Sequence, residues 1–306
     1  MSWYLPRCWP WGGACDSNDP SQDDLETIRS NANATLTALP TPPRPTPLDS
    51  AGNVGEYTSV TIGADGLGLI SYYDVTNLDL KVAHCSNAAC TAATTATLDS
   101  VGQVGEYTSI TIGADGLGLI SYAHRGNEDL KVAHCSNAAC TEATITTLDS
   151  GGQKGDYTSV TIGADGLGLI SYYDRTNNAL KVAHCTNVAC TEATMTTLDS
   201  EGSVGSYTSI TIGADGLGLI SYYDPTNGDL KVAHCSNAAC TEATTATLDS
   251  SDSSGLHTSL TIGIDGLALI SYHVSGDEFA GDDAIGMDLK VLHCENAFCS
   301  PHFRRR

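Results

Sequence analysis

Three stretches of this chain place an aromatic ring, a carboxylate and an amide within five residues of one another: Tyr73-Asp74 with Asn77, Tyr173-Asp174 with Asn177, and Tyr223-Asp224 with Asn227. A ring covers the apolar face of a pyranose while the polar groups chelate neighbouring hydroxyls, so each trio is a candidate sugar-binding site. The equivalent stretches Ala123-His124 and His273-Val274 differ and would bind otherwise or not at all. The preceding Tyr72 series is read first as packing residues with the hydroxyl at a rim. Asp74-x-x-Asn77-x-Asp79 is also a set of oxygen ligands suited to calcium, but it lacks the spacing and ligand count of a dedicated loop. No cofactor and no metal are assigned.

A second recurring group is His-Cys-x4-Cys. Cys85 and Cys90, Cys135 and Cys140, Cys185 and Cys190, Cys235 and Cys240, and Cys294 and Cys299 each flank a four-residue turn, and each pair follows a histidine (His84, His134, His184, His234, His293). Adjacent strand residues point to opposite faces, so His84 and Cys85 are poorly placed to share an ion. Two thiolates alone are also too few for a closed zinc site. Opposed positions beside a tight turn lie within disulfide reach, and five disulfides are expected, with Cys8 and Cys15 a candidate sixth. The histidines are expected to pack between neighbouring units.

These groups recur because the chain repeats. Leu-Asp-Ser returns at 48–50, 98–100, 148–150, 198–200 and 248–250, and TIGADGLGLISY begins at 61, 111, 161 and 211, with a fifth variant at 261. Such a period is the signature of an array of equivalent units. Within one unit, Tyr57–Gly63 is a β-branched run, Asp65-Gly66 marks a hairpin, and Leu67–Tyr73 is the second strand. Leu80–Cys85 and Cys90–Leu98 follow as third and fourth strands. The predicted fold is all-β, a five-bladed β-propeller of four-stranded antiparallel blades, with repeats at about 51–100, 101–150, 151–200, 201–250 and 251–306. Its first two strands are expected to be covered on both faces by neighbouring blades and the outermost to be half wet.

The fifth copy stops where the others continue into a fourth strand. Ala34-Thr-Leu-Thr-Ala-Leu39 resembles the missing strand, so the N-terminal extension (1–47) is expected to close the ring near 34–39, with 40–47 as a Pro-rich tether to the propeller (48–306). The same strand exchanged between molecules would build a filament. The copies differ in two connections, 51–56 and 74–79 with their equivalents, and the latter grows by nine residues in the fifth copy. An up-and-down blade puts both on one face of the disc, and the Asp-Gly and cysteine turns on the other. Diversity confined to one face of a rigid scaffold reads as recognition.

Lys and Arg total 14 against 36 Asp and Glu, a formal charge of −22, which argues against nucleic-acid binding. No run approaches the ~20 apolar residues of a membrane helix. The N-terminal residues read against a secretory leader whereas the cysteines read for an oxidising compartment; the repeated cysteines carry more weight, and an extracellular or cell-surface location is expected.

The unit with ADGLxLISYYD and LKVAHCxNAAC resembles, across 48–299, the β-propeller repeats of uncharacterised bacterial surface or secreted proteins. In architecture it is similar to the tachylectin-type five-bladed lectins, a resemblance that implies one weak sugar site per blade; the Asp box of sialidase propellers is absent. The resulting expectation is a multivalent, non-enzymatic carbohydrate-binding protein whose partners are glycans or cell-surface polysaccharide. A filament-forming surface protein, self-associating through the N-terminal strand, is the alternative. A glycoside hydrolase ranks last, because hydrolysis needs two differently tuned carboxylates in one place whereas this chain repeats each acid around a ring.

Overall fold

The protein is described by a computed structural model over residues 45–251, 253–275 and 288–300, with positions 22, 23, 26, 27 and 30 of the N-terminal extension. The chain divides into two compact units, Met1–Pro45 and Thr46–Arg306. In the first, positions 22, 23, 26, 27 and 30 are helical and Pro45 is not, and the Thr27 hydroxyl donates to the Asp23 carbonyl at 2.8 Å. The expected closing strand at 34–39 and the Cys8–Cys15 pair lie outside the described residues.

The second unit is a five-bladed β-propeller. Blade 1 consists of β1 (Val54–Ile62), β2 (Gly68–Asp74), β3 (Asp79–Cys85) and β4 (Ala93–Asp99). Blade 2 repeats this with β5 (Val104–Ile112), β6 (Gly118–His124), β7 (Asp129–Cys135) and β8 (Ala143–Asp149). In blade 3 the strands are β9 (Asp156–Ile162), β10 (Gly168–Asp174), β11 (Ala179–Cys185) and β12 (Ala193–Asp199). Blade 4 contains β13 (Ser206–Ile212), β14 (Gly218–Asp224), β15 (Asp229–Cys235) and β16 (Ala243–Asp249). Blade 5 has three described strands, β17 (Ser254–Ile262), β18 (Ala268–Val274) and β19 (Asp288–His293). Each blade is a separate antiparallel meander in chain order.

Burial peaks in the two middle strands, not in the innermost one. Every residue of β6 and β7 is buried, whereas β5 alternates and β8 is half wet. The expectation that the first two strands are covered on both faces therefore holds for the second and is corrected for the first, and the outermost strand is half wet as expected. That strand borders an open axial cavity with one face, while the middle strands are covered by a blade on each side. Leu130, Val132, Ile170 and Tyr172 belong to one such interblade cluster. Burying an aliphatic side chain of this size stabilises by about 1.5–3 kcal/mol.

The Leu-Asp-Ser repeat proves to be an interblade latch. Asp99, at the end of β4, accepts hydrogen bonds through Oδ2 from the Tyr122 hydroxyl (2.7 Å) and from Lys131 Nζ (2.5 Å), both in blade 2. Asp149 and Asp199 do the same for the next two blades, and Asp49 and Asp249 accept from the corresponding Tyr and Lys of blades 1 and 5. The lysine hydrogen bond holds Asp49 down to about 2. Burial pushes Asp99 and Asp199 up, but the lysine and tyrosine donors outweigh it and keep both low.

The two diversified connections meet on one face. Asn53 N donates to Thr76 Oγ1 and Val75 N to the Asn53 carbonyl, so 51–53 and 75–78 form one surface. The other face is held by short struts. His84 Nε2 lies 2.8 Å from Asp65 Oδ2, and Asp65 Oδ1 accepts the Leu67 amide, so the histidine braces the Asp-Gly turn of its own blade. All five blades share this strut, and His234 in addition packs edge-on against Phe298 of blade 5 at 4.8 Å, the kind of interblade contact expected of the series. The five cysteine pairs are disulfide-bonded, with Cα atoms 4.9 Å apart.

Candidate functional site

The pairing of β1 with β2 slips between Glu56 and Ser59, leaving a bulge at Tyr57 and Thr58. Tyr57 adopts φ 52°, a left-handed conformation that bulky residues avoid, and Tyr107, Tyr157, Tyr207 and His257 repeat it within a few degrees. Strain of this kind costs about 1–3 kcal/mol per residue and concentrates where function requires a particular side-chain direction. Here it turns five aromatic rings toward the axis. Successive centroids are 4.6, 4.6, 4.4 and 4.2 Å apart from Tyr57 round to His257. With Thr58, Thr108, Thr158, Thr208 and Thr258 beneath them, they line a cavity of about 350 Å³.

The residue before each bulge is not repeated: Glu56, Glu106, Asp156, Ser206 and Leu256 occupy the five equivalent positions. Glu106 Oε2 accepts from Arg125 Nε at 2.7 Å, and Arg125 Nη1 reaches Asp156 Oδ1 at 3.0 Å. Arg175 closes on the other oxygen of Asp156 with Nη2 at 2.7 Å and Nε at 2.9 Å. Asp156 is buried between two guanidinium groups, and Arg125 also donates to the Tyr107 hydroxyl and lies over its ring. Glu56 forms no ion pair among the described residues. Behind this chain, Lys154 is buried against Asp174 at 2.5 Å.

The environment holds Tyr57, Tyr107 and Tyr207 as neutral phenols. Burial pushes the Tyr107 hydroxyl well up, reinforced by Tyr157 and Tyr57, and lifts Tyr207 to about 12. Tyr57 is raised first by burial and then by the carboxylate of Glu106. The cavity wall thus combines aromatic faces with hydroxyl donors, and an asymmetric series of carboxylates bridged by arginine lies behind it, joined to it where Arg125 meets Tyr107. That is chemistry for holding a ring-shaped polyhydroxyl group and for stabilising positive charge that develops on it.

The residues singled out from sequence lie beside this cavity. Tyr73, Tyr173 and Tyr223 stand behind Tyr57, Tyr157 and Tyr207, with centroids 6.2, 6.5 and 6.4 Å away. Asp74, Asp174 and Asp224 are buried. Asp74 accepts the Thr76 and Asn77 amides at 3.0 Å and Asn77 Nδ2 at 2.9 Å; Asp174 with Asn177 and Asp224 with Asn227 repeat the arrangement. The structure brings the Asp and Asn of each trio together as a loop brace, the carboxylate facing amide donors, and places the tyrosine apart from them behind the Tyr57 series. Among the described residues, no three His, Cys, Asp or Glu side chains converge on a metal position. The Tyr57 series and its acidic neighbours were missed because the first strand reads as regular; the signal was the changing acid at 56, 106 and 156 beside an otherwise constant aromatic.

No protein-family model matches the chain, and no curated protein matches it. Solved structures do. A family-43 β-1,3-galactosidase solved with galactodeoxynojirimycin superposes with a TM-score of 0.51 at 9% identity, covering 78% of this chain and 90% of that one. The exo-β-1,3-galactanase of Clostridium thermocellum gives 0.50 at 12%, covering 83% and 62%. At these identities the likeness is one of fold, and that fold is the five-bladed propeller.

The neighbours are glycoside hydrolases rather than tachylectin-type lectins, which overturns the ranking drawn from sequence. The non-enzymatic multivalent binder is not retained as the main reading, and neither is the filament. The physical objection to an enzyme was that every acid is repeated around the ring. Beside the axis that premise fails, because Glu106, Arg125, Asp156 and Arg175 form a series found, among the described residues, in one sector alone.

Proposed function

We propose that the chain acts on carbohydrate at the axial cavity, as a propeller of the glycoside hydrolase kind. The observation that carries this reading is the cavity lined by five aromatic side chains in left-handed backbone, with a non-repeated series of carboxylates joined to its wall through Arg125 and Tyr107. In this scheme the rings hold the sugar. Asp156, buried and fixed by Arg125 and Arg175, acts electrostatically on the developing oxocarbenium ion, and water supplies the attacking oxygen. Glu56, exposed and without an ion pair among the described residues, donates the proton to the leaving oxygen. Glu106 sets the position of Arg125 and through it of Asp156. The galactan- and galactoside-processing neighbours make galactose-containing glycans the first substrates to try.

The five disulfides fit an oxidising compartment, and we place the protein outside the cytosol, where such glycans occur. No described helix is long and apolar enough to cross a membrane.

The test is hydrolysis of a panel of aryl glycosides and of galactan, arabinan and xylan oligosaccharides by the purified chain. Activity that falls roughly 10²-fold or more in Asp156→Asn and in Glu56→Gln is expected. Turnover of no glycan, or rates indifferent to both substitutions, overturns the reading.

A further inference from the structure

The floor of the axial cavity has one hydrogen-bonding sense. Thr158, Thr208 and Thr258 donate their hydroxyl protons to the carbonyls of Tyr107, Tyr157 and Tyr207 at 3.0, 3.0 and 3.1 Å, and Thr108 donates to the Ser71 hydroxyl at 2.7 Å. A hydroxyl has one proton and two lone pairs, so these threonines have no proton left to give but retain the capacity to accept. Ser121, Ser171 and Ser221, at 2.6, 2.7 and 2.6 Å from Thr158, Thr208 and Thr258, use part of that capacity and leave a lone pair on each. To an occupant of the cavity they line, Thr108, Thr158, Thr208 and Thr258 are acceptors only.

The rings above this floor attract cations. A positive charge is drawn to an aromatic ring when it lies within ~6 Å of the centroid. The protein already uses that attraction here, with the Arg125 guanidinium 5.1 Å from the centroid of Tyr107. Tyr157 and Tyr207, whose centroids are 4.4 Å apart, carry no such cation among the described residues, and a charge seated between them is within reach of both. The local charge balance favours the same occupant. Glu56, Glu106 and Asp156 precede three of the rings, and Arg125 and Arg175 are committed to Glu106 and Asp156, which leaves one carboxylate in excess. A chain of formal charge −22 also concentrates cations near its surface.

We infer that the axial cavity holds an ammonium group, seated between Tyr157 and Tyr207 over Thr158 and Thr208, and that the sugar bringing it is an amino sugar with a free amine in place of one hydroxyl. An ammonium group fits both surfaces at once. It offers three N–H donors and no acceptor to the threonines, and a full positive charge to the rings. A sugar hydroxyl brings one proton and an acetamido group one N–H, neither of them with charge. The inference rests on the carbohydrate reading above and narrows its substrate class from galactose-containing glycans to those with unacetylated galactosamine.

The experiment is calorimetric titration of the full chain, at one ionic strength, with galactosamine, galactose, N-acetylgalactosamine and methylammonium. Galactosamine is expected to bind about tenfold or more tighter than either neutral sugar, with the gain lost in Tyr207→Leu and kept in Tyr207→Phe, which retains the ring. A gain that survives Tyr207→Leu is attraction to the net charge of the chain and overturns the inference. Galactosamine bound no tighter than galactose also overturns it, and cleavage of galactan in that case leaves the carbohydrate reading standing. Methylammonium bound while no sugar is bound or cleaved overturns the carbohydrate reading and the amino-sugar site with it. Should Tyr207→Leu not fold, nuclear magnetic resonance of the unaltered chain decides the seat. The methyl resonance of methylammonium is expected to move upfield under the ring currents of Tyr157 and Tyr207, and an unmoved resonance overturns the inference.

Discussion

Asp99 Oδ2 lies 2.7 Å from the hydroxyl of Tyr122, across the boundary between the first and second blades. The same oxygen accepts from Lys131, so one carboxylate of the outer strand fastens two strands of the next blade. Removing it leaves a buried lysine without its counter-ion. Asp99→Ala is expected to cost about 3–5 kcal/mol, the range for breaking a buried pair. Tyr122→Phe, which removes one donor and keeps the packing, is expected to cost about 0.5–1.5 kcal/mol. Chemical denaturation of the two variants measures both; equal losses would mean that packing, not the latch, joins the blades.

The latches also set the acid limit. Asp49, Asp99, Asp199 and Asp249 all have folded-state values below the ordinary carboxylate value, Asp49 at about 2. A lowered folded value means that the unfolded chain binds protons more readily, so the contribution is fully present above about pH 4 and is lost as pH falls toward 2. Tyr122, Tyr172 and Tyr222 are raised, chiefly by burial and next by the latch carboxylate. Their contribution is present below about pH 10, the unfolded value, and is lost as pH rises beyond it. Denaturation midpoints measured from pH 2 to 11 should therefore form a plateau with falling flanks. A midpoint unchanged between pH 5 and 2 would contradict the acid half of this account.

The blades were legible in the sequence because each rests on local chemistry that repeats. Asp65-Gly66 turns between two β-branched runs, and Gly66 takes φ 79° there while the Asp65 carboxylate caps Leu67. The cysteine spacing likewise specified its own hairpin. The roles of His84 and Asp49 were not legible, since each is defined by a partner 19 or more residues away that periodicity alone does not pair. The axial site was hidden for a different reason. A tyrosine inside a β-branched run reads as ordinary strand, and the bulge that turns Tyr57 inward runs against its backbone preference. Propensity points away from the very feature that tertiary packing imposes.

The disulfides close very short loops, with a sequence separation of 5 in every blade. Loop-closure entropy for so few residues amounts to no more than about 2 kcal/mol. Cys185→Ser with Cys190→Ser is therefore expected to leave the propeller folded, with a loss near that figure and faster amide exchange confined to 186–192. Global unfolding on loss of one bridge would show that the hairpins support the interblade core as well as their own turns.

The left-handed aromatics allow strain and function to be separated. Tyr157 holds φ 55° and stacks between Tyr107 and Tyr207, so Tyr157→Gly relieves backbone strain while deleting the ring at the centre of the cavity wall. The released strain, about 1–3 kcal/mol, opposes the lost packing, and the net change in stability is expected to be small. Tyr157→Phe keeps the ring without the hydroxyl and retains the strain. If the conformation exists to aim the ring at a sugar, glycan turnover should fall at least tenfold in the glycine variant, with little change in unfolding midpoint, and far less in the phenylalanine variant. A glycine variant as active as the original would mean that the five bulges shape the axis without serving the site.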